Sequence, residues 1–516
     1  MSLSSTMVRW MSHYPRLVAW LRTLYPPLCI ALSGLLLVFA LAPFRHYWLA
    51  PLSLFMPLRF IQKQPGHAFR YGYLWGLAAY GACFGWIYYS LLIIAQLSFT
   101  VTLLAMSAFV MYIACYPAIA LWITCRVTTQ KYWRWLMVFP ATWTLTEWLR
   151  GKILTGFPWG EMGLTQIAEG SLSGITPLLG IHGVTLFLMI STGILILLSL
   201  KPSYKVAVVL TSGLLLGNFQ AMLMKNWAWT TPVGQPIRVA LAQSNVPQQL
   251  KQDPAMFYAT LNLYQQQIEA TQADLMIFPE SLFLTDFEHL PLGYIDHLKQ
   301  LASYRHMSIA LGVLRGAPRS SHIFNTVMSL DTQAIYAKRH LVPFGEYAPW
   351  SFTEKLYRQI KKCASQTLPG NDHQTPLALA TQRIAFNICY EDSFGEELIH
   401  MARQSTMLAN LSNLAWFGPH SIGLDQHLQL SQARALENGR FMLRATNTGR
   451  TAIITPKGQI AVMVPTDKKT VLVGQAQGYT GWTPYMHYGD YPVLALCIGL
   501  LVLASLWSCL KKRYIL

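Results

Sequence analysis

Residues 71–125 form an uninterrupted stretch of 55 residues without a single Asp, Glu, Lys or Arg. A helix crossing a bilayer core needs about 20 mainly apolar residues, so this stretch is long enough for two crossings. Further charge-free windows run 23–44, 170–200, 206–224 and 491–510, which brings the expectation to six clear spans. A wholly soluble chain is thereby disfavoured, as is a disordered or disulfide-stapled one. Only 12% of residues are charged, against about 25% in soluble domains.

The formal net charge of +17 needs placing before it is interpreted. Residues 225–488 carry 22 basic and 18 acidic side chains, whereas the apolar flanks carry 17 and 4. A basic excess confined to segments between apolar runs is the pattern of the positive-inside rule. No basic helical face or aromatic-basic interleaving supports nucleic-acid binding. Two shorter apolar stretches, His46–Leu58 and Trp135–Trp148, complete a regular alternation of eight spans. One side then holds Arg9, Arg16 and Arg22; Arg59, Lys63 and Arg70; Arg126, Lys131 and Arg134; Lys201 and Lys205; and Lys511, Lys512 and Arg513. The short loops of the other side hold only Arg45, Arg150 and Lys152. Both termini are expected in the cytoplasm and the middle piece outside. Ala40-Leu41-Ala42 after an apolar run imitates a signal-peptide cleavage site, but the long preceding segment and the spans that follow favour an uncleaved helix. Glu147 and Arg150, three apart near a span end, are expected to pair.

The expected organisation is a membrane bundle over 1–224, a layered α/β domain over 225–488, and a last span with its tail over 489–516. In the middle piece, Ile237–Ala242, Leu275–Phe278, Ser308–Val313, Asn325–Leu330, Ile384–Cys389 and Met407–Leu411 read as strands. Asp253-Pro254 opens a helix to about Ala270, and Tyr294–Arg305 and Gln426–Glu437 read as helices. Thr451–Thr455 and Ile460–Val464 flank Pro456-Lys457-Gly458 as a hairpin.

Glu280 and Cys389 close apolar strands, and Lys338 sits in Tyr336-Ala337-Lys338-Arg339-His340. Strand ends hold side chains rigidly yet within reach of a ligand. A thiol needs a base or a nearby cation to become a nucleophile, a carboxylate can be that base, and a lysine can stabilise an acyl oxyanion. Taken singly, each has a plainer reading: a turn carboxylate, a solvated lysine, an inert core thiol. No C-x-x-C, H-E-x-x-H, P-loop or G-x-G-x-x-G word occurs, so no metal, disulfide or cofactor is expected.

Three words change the balance: Phe278-Pro279-Glu280-Ser281, Lys338-Arg339-His340-Leu341-Val342-Pro343-Phe344-Gly345-Glu346 and Cys389-Tyr390-Glu391. In this order they resemble the nitrilase superfamily, with its Glu-Lys-Cys catalytic set. A domain of that kind between seven spans and an eighth resembles the membrane-embedded apolipoprotein N-acyltransferases. Phe39-Ala40-Leu41-Ala42-Pro43-Phe44, Thr155-Gly156-Phe157-Pro158-Trp159, Ala415-Trp416-Phe417-Gly418, Ala435–Arg440, Arg444–Asn447 and Thr480–Tyr485 carry the likeness along nearly the whole chain.

The resemblance implies an αββα sandwich in the periplasm, anchored in a bacterial inner membrane. It implies a ping-pong reaction without a cofactor: Cys389 takes an acyl chain from a phospholipid such as phosphatidylethanolamine, and the α-amino group of a diacylglyceryl apolipoprotein then receives it. Glu280 is the implied base, with Lys338 and the backbone N–H of Tyr390 as the oxyanion site. Glu346, Tyr390 and Glu391 are the implied supporting residues, although structural hydrogen bonding explains Glu391 equally well. Nothing obliges a partner subunit, so a monomer is expected. Two classes compete: a membrane-tethered amidase in which water resolves the intermediate, and an inactive or transporting scaffold. The spans hold few of the ionisable residues that transport needs.

The sequence departs from the family twice. Leu414 stands where Asn-Asp-Ala-Trp would place an acid, and Gln252 where an aromatic is expected. Trp350, Phe352, Leu356, Tyr357 and Ile360 alternate with Lys355, Arg358, Lys361 and Lys362. This pattern suits either an ordinary surface helix or an amphipathic lid resting on anionic headgroups. If it is a lid, replacing the four basic residues with Gln raises the apparent substrate requirement and leaves thioester formation intact. Kinetics in anionic-lipid micelles check this, and unchanged values would reject the lid.

Overall fold

The computed structural model describes residues 15–247, 254–283, 285–317, 322–355, 357 and 366–513. Among the described residues, four helices are long and apolar enough to cross a membrane: Phe99–Val127, Ser171–Ser199, Tyr204–Met224 and Tyr491–Lys511. A fifth crossing results if Pro65–Cys83 and Ile87–Ile94, bent by 64°, are one broken span. This is fewer than the six clear spans expected. The 23–44 window supplies a shorter apolar helix, Leu24–Ala40. The first half of the 71–125 stretch breaks where Phe84 packs edge-on against Phe157 at 5.1 Å. Beyond the break, Ser90 donates to the Trp416 carbonyl at 2.7 Å, drawing the Ser90–Ile94 π-turn under the α/β part. Of the two weak stretches, the first forms two short helices, Leu49–Ser53 and Phe55–Lys63. The second lies in the helical run Lys131–Arg150, interrupted by a π-turn at Arg134–Val138.

Small residues bring Ala68–Cys83 against Phe99–Val127. A Cβ on Gly72 would stand 2.7 Å from the Pro117 carbonyl oxygen, and one on Gly76 would stand 2.9 Å from the Ala114 Cα. Backbone contact of this kind is how helices associate where burial from water contributes little.

Among the described residues, the α/β part has twelve strands in two six-stranded sheets. The first is ordered β12(Thr470–Thr480), β1(Thr231–Gln243), β2(Leu275–Ile277), β3(Ser308–Gly316), β4(Ile323–Ser329), β5(Ile335–Ala337). The second runs β11(Ile460–Met463), β10(Ala452–Ile454), β9(Met442–Thr446), β8(Met407–Ser412), β7(Gln382–Ile388), β6(Leu377–Leu379). Strands β1–β2–β3 and β7–β8–β9 pair in parallel, and the outer pairs are antiparallel. In β1, Thr231 pairs with Thr480 and Gln243 with Thr470, so the first and last strands lie side by side.

Side chains alternate across a strand, and β1 shows the result. Val239 and Leu241 face the core shared with Ile384, Phe386, Ile388 and Leu411 of the second sheet. Ala240 and Ala242 face Leu261, Tyr264 and Ile268 of helix Pro254–Ala270 and Leu298 and Ala302 of helix Tyr294–Tyr304. Helices Gly395–Ala402 and Ile422–Asn438 cover the second sheet through Leu398, Met401 and Leu428. Apart from its first residue and Asp425, every residue of Ile422–Asn438 is buried, because its opposite side meets the membrane helices.

Gly72→Leu should lower stability in detergent by about 1–3 kcal/mol, the usual cost of overpacking. A thermal midpoint equal to wild type would show that the two helices are not in backbone contact.

Candidate active site

Strands of both sheets deliver the expected residues to one place. Glu280 follows β2, and its segment lies on β3 because Gly312 has no side chain: a Cβ there would stand 2.8 Å from the Glu280 Cα. Lys338 directly follows β5, and Cys389 directly follows β7. The Lys338 Nζ lies 2.8 Å from Glu346 Oε2 and 3.5 Å from Glu280 Oε1. Asn325, on β4, donates its Nδ2 to both carboxylates, at 2.8 Å to Glu280 and 3.2 Å to Glu346. The Asn413 N–H binds the other Glu280 oxygen at 2.7 Å, and the Val342 N–H binds Glu346 at 2.7 Å.

Lys338 is 1% exposed. Burial alone would lower its pKa, but Glu346, Glu280 and Cys389 together raise it, so the ammonium stays charged. Two carboxylates around one ammonium leave the cluster negative. Burial and then Glu280 push the half-buried Cys389 thiol well up, and Lys338 offsets only part of this. The resting site therefore holds a thiol, and attack needs a base to take its proton as the new bond forms.

Cys389 opens a 3₁₀ turn, Cys389–Ser393, with φ of +53°, a left-handed conformation that is strained for a residue with a side chain. Glu391 holds that turn. Its carboxylate accepts from the Ile388, Arg339 and His340 N–H groups at 2.6, 2.7 and 3.1 Å, and from the Tyr336 hydroxyl at 2.9 Å. It thus ties the lysine loop to the cysteine strand, while burial pushes its carboxyl up to about 7. The Tyr390 hydroxyl donates to the Gly156 carbonyl at 3.0 Å.

The loop 151–160 brings the membrane part to this turn. Gly156 has φ of +81°, and a Cβ on it would stand 3.2 Å from Phe394. Arg150 donates to the Trp159 carbonyl at 2.7 Å, and Glu147 accepts from the Met162 N–H at 3.0 Å. Glu147 and Arg150 make no ion pair within 4 Å of each other: Arg150 fastens the loop, and Glu147 is taken up by donors from Trp143, Met162 and Thr185. The His340 ring stacks on Phe394 at 3.5 Å and meets the Thr155 carbonyl at 3.1 Å. Lys152 pairs with Glu396 at 2.6 Å.

Glu280, Lys338, Cys389, Glu346, Tyr390 and Glu391 are thus brought together. The lid residues are only partly described. Trp350 precedes a single 3₁₀ turn, Ser351–Thr353, and Tyr357 is buried. The side chain of Phe352, and residues 356 and 358–362, lie outside the described residues, as does Gln252. Leu414 is buried against Gly449, so an apolar contact occupies the place of the expected acid. Asn325, Asn413 and His427 were missed: they stand within strands, turns or helices and are polar residues of ordinary appearance until the fold assembles.

Residues 238–485 match the family described as carbon-nitrogen hydrolase, and 33–195 the family described as apolipoprotein N-acyltransferase N-terminal domain. The sandwich and its carboxylate-lysine-thiol cluster thus define a carbon-nitrogen hydrolase domain, the nitrilase class. The chain is 43% identical to an apolipoprotein N-acyltransferase of Chromobacterium violaceum, over 95% of this chain and 96% of that one. It is 39% identical to one of Neisseria meningitidis (94% and 96%) and 38% identical to one of Nitrosomonas europaea (93% and 97%). The chain belongs to the apolipoprotein N-acyltransferase family.

The raised thiol pKa has a direct consequence. Alkylation of Cys389 by iodoacetamide should keep accelerating past pH values near the ordinary thiol pKa of about 8.5. A plateau in the rate below that pH would mean a stored thiolate.

Proposed function

We propose that the chain transfers a fatty acyl group from a membrane phospholipid, phosphatidylethanolamine in the first instance, to the α-amino group of the diacylglyceryl-cysteine that begins an apolipoprotein. Glu280 takes the Cys389 proton as sulfur attacks the ester carbonyl. The oxyanion forms against Lys338 and the Tyr390 N–H. Collapse breaks the ester bond, Glu280 returns the proton to the departing lysolipid oxygen, and a thioester remains. The amine then attacks, gives a proton to Glu280, and expels the Cys389 sulfur, which recovers that proton. Glu346 keeps Lys338 in place, and Glu391 and Tyr390 hold the nucleophile's turn.

One observation carries this reading within the family: the carboxylate-lysine-thiol cluster is joined to membrane helices through the loop 151–160, at the turn that bears the thiol. Both substrates are lipids that arrive laterally, and a site fastened at the membrane part suits them. We place the catalytic domain at 225–488, between helices over 1–224 and a last helix over 489–516. It faces the periplasm, both termini are cytoplasmic, and the chain acts as a monomer. The basic residues of alternate loops support this orientation. Eight crossings follow if the bent, short and π-interrupted helices each count as one.

Intact-protein mass spectrometry in phosphatidylethanolamine micelles tests the reaction. Wild type should gain one acyl group and Cys389→Ser none, and only a diacylglyceryl-cysteine peptide with a free amine should discharge it. Equal discharge without peptide would make the chain a hydrolase.

A further inference from the structure

The helix Ile422–Asn438 places His427 against the carbonyl of Cys389, with Nε2 at 3.0 Å from the oxygen. Its other ring nitrogen, Nδ1, lies 2.7 Å from the Arg444 guanidinium. Arginine only donates, so Nδ1 accepts and Nε2 carries the proton. Burial and the Arg444 charge hold the imidazole well below its ordinary pKa, which keeps it neutral. Arg444 is itself held by Asp392 at 3.3 Å and Asn410 at 3.1 Å. The ring's face stacks on Trp159 of the membrane part, with centroids 5.3 Å and planes 15° apart. His427 is fully buried and has one donor, aimed at one oxygen.

That oxygen belongs to the peptide unit whose N–H is Tyr390's. The Tyr390 N–H stands in the first turn of the 3₁₀ segment, where backbone donors have no partner within the turn. Accepting a hydrogen bond at the C=O polarises a peptide and strengthens the N–H at its other end. It also fixes the peptide plane, and so the direction in which the N–H points. Asn410 Nδ2 reaches the same oxygen at 3.4 Å, a distance too long to do this alone.

We propose that His427 is a positioning residue for the acyl-transfer step: through the Cys389 carbonyl it aims and polarises the Tyr390 N–H at the tetrahedral oxyanion, and Trp159 holds it there from the membrane side. The proposal rests on the thioester reading above. No bond to His427 forms or breaks, and its proton stays on Nε2 throughout.

Two reactions of the same sulfur separate this role from a merely structural one. Acylation by p-nitrophenyl butyrate passes through an oxyanion, and alkylation by iodoacetamide does not. Both are followed by mass on the full-length, detergent-solubilised chain. His427→Phe keeps a ring against Trp159 without the donor. It should slow acylation about tenfold or more, since removing an oxyanion donor outright costs roughly 10²–10³ in kcat, while alkylation stays unchanged. His427→Gln, which restores an N–H donor, should recover acylation. Equal slowing of both reactions in His427→Phe, or unchanged acylation, would overturn the proposal. Failure of wild type to take acyl groups from phospholipid, with the ester reaction intact, would reject the lipid donor and leave the role of His427 readable. Loss of ester acylation in wild type with alkylation intact would overturn both.

Discussion

A buried ammonium is tolerated only where opposite charge and hydrogen bonds replace its water, and the site is organised around that requirement. Lys338 needs Glu346 as well as Glu280. The two carboxylates in turn need the donors that Asn325, Asn413 and Val342 supply. Burial, and then the neighbouring Glu280, disfavour thiolate at Cys389. In the proposed mechanism, a protonated sulfur beside a fixed carboxylate is protected from stray electrophiles, and it becomes nucleophilic only when a carbonyl is in place to receive it. Removing one partner of the Lys338 cluster is thus costly beyond the lost contact, because another charge is left buried and unpaired.

The same economy of polar groups joins the two halves of the chain. Gln426 accepts from the indole N–H groups of Trp159 at 3.0 Å and Trp86 at 3.3 Å, and donates to the Cys83 carbonyl. Gln429 accepts from the Ala42 N–H, and Glu437 from the Ile181 N–H. These residues lie on the outer side of the helix whose inner side carries His427 and Ser431. One helix therefore reads the position of the membrane loops and presents it to the nucleophile's turn.

The apolar windows and the strands that alternate or run continuously apolar were legible from periodicity: Ser308–Val313 and Met407–Leu411 lie within β3 and β8. Strands β5, β6, β9 and β12 were not, β9 because Arg444 interrupts its apolar run. Strands β5 and β6 have three residues, too few for a period, and β12 is interrupted by two glutamines and two glycines. Helix continuity within the spans was a separate matter. An apolar stretch says that water is absent, not that the helix is continuous, and around the break after Cys83 the contacts are with Phe157 and Trp416, both remote in sequence. At the site, Glu280, Lys338 and Cys389 stood out because each ends an apolar run inside a recognisable word. Asn325 lies inside a strand and His427 inside a helix, where a polar side chain has no local signature. Their partners come from other elements, so only the assembled sheets show their contacts.

The pairing of Thr231 with Thr480 places the entry and exit of the α/β part on neighbouring strands, about 4.8 Å apart. Topologically the enzyme domain is an insertion: the 250 residues from Thr231 to Thr480 leave the membrane part and return to it at nearly the same point. The helices on either side can then pack as though the chain had never left. The last helix does so, with Val493 and Cys497 sharing a core with Ala141 and Leu186. Two adjacent strands also resist twisting far better than a single tether. Together with the loop contacts, this two-strand join keeps the cysteine turn facing the loops that touch it.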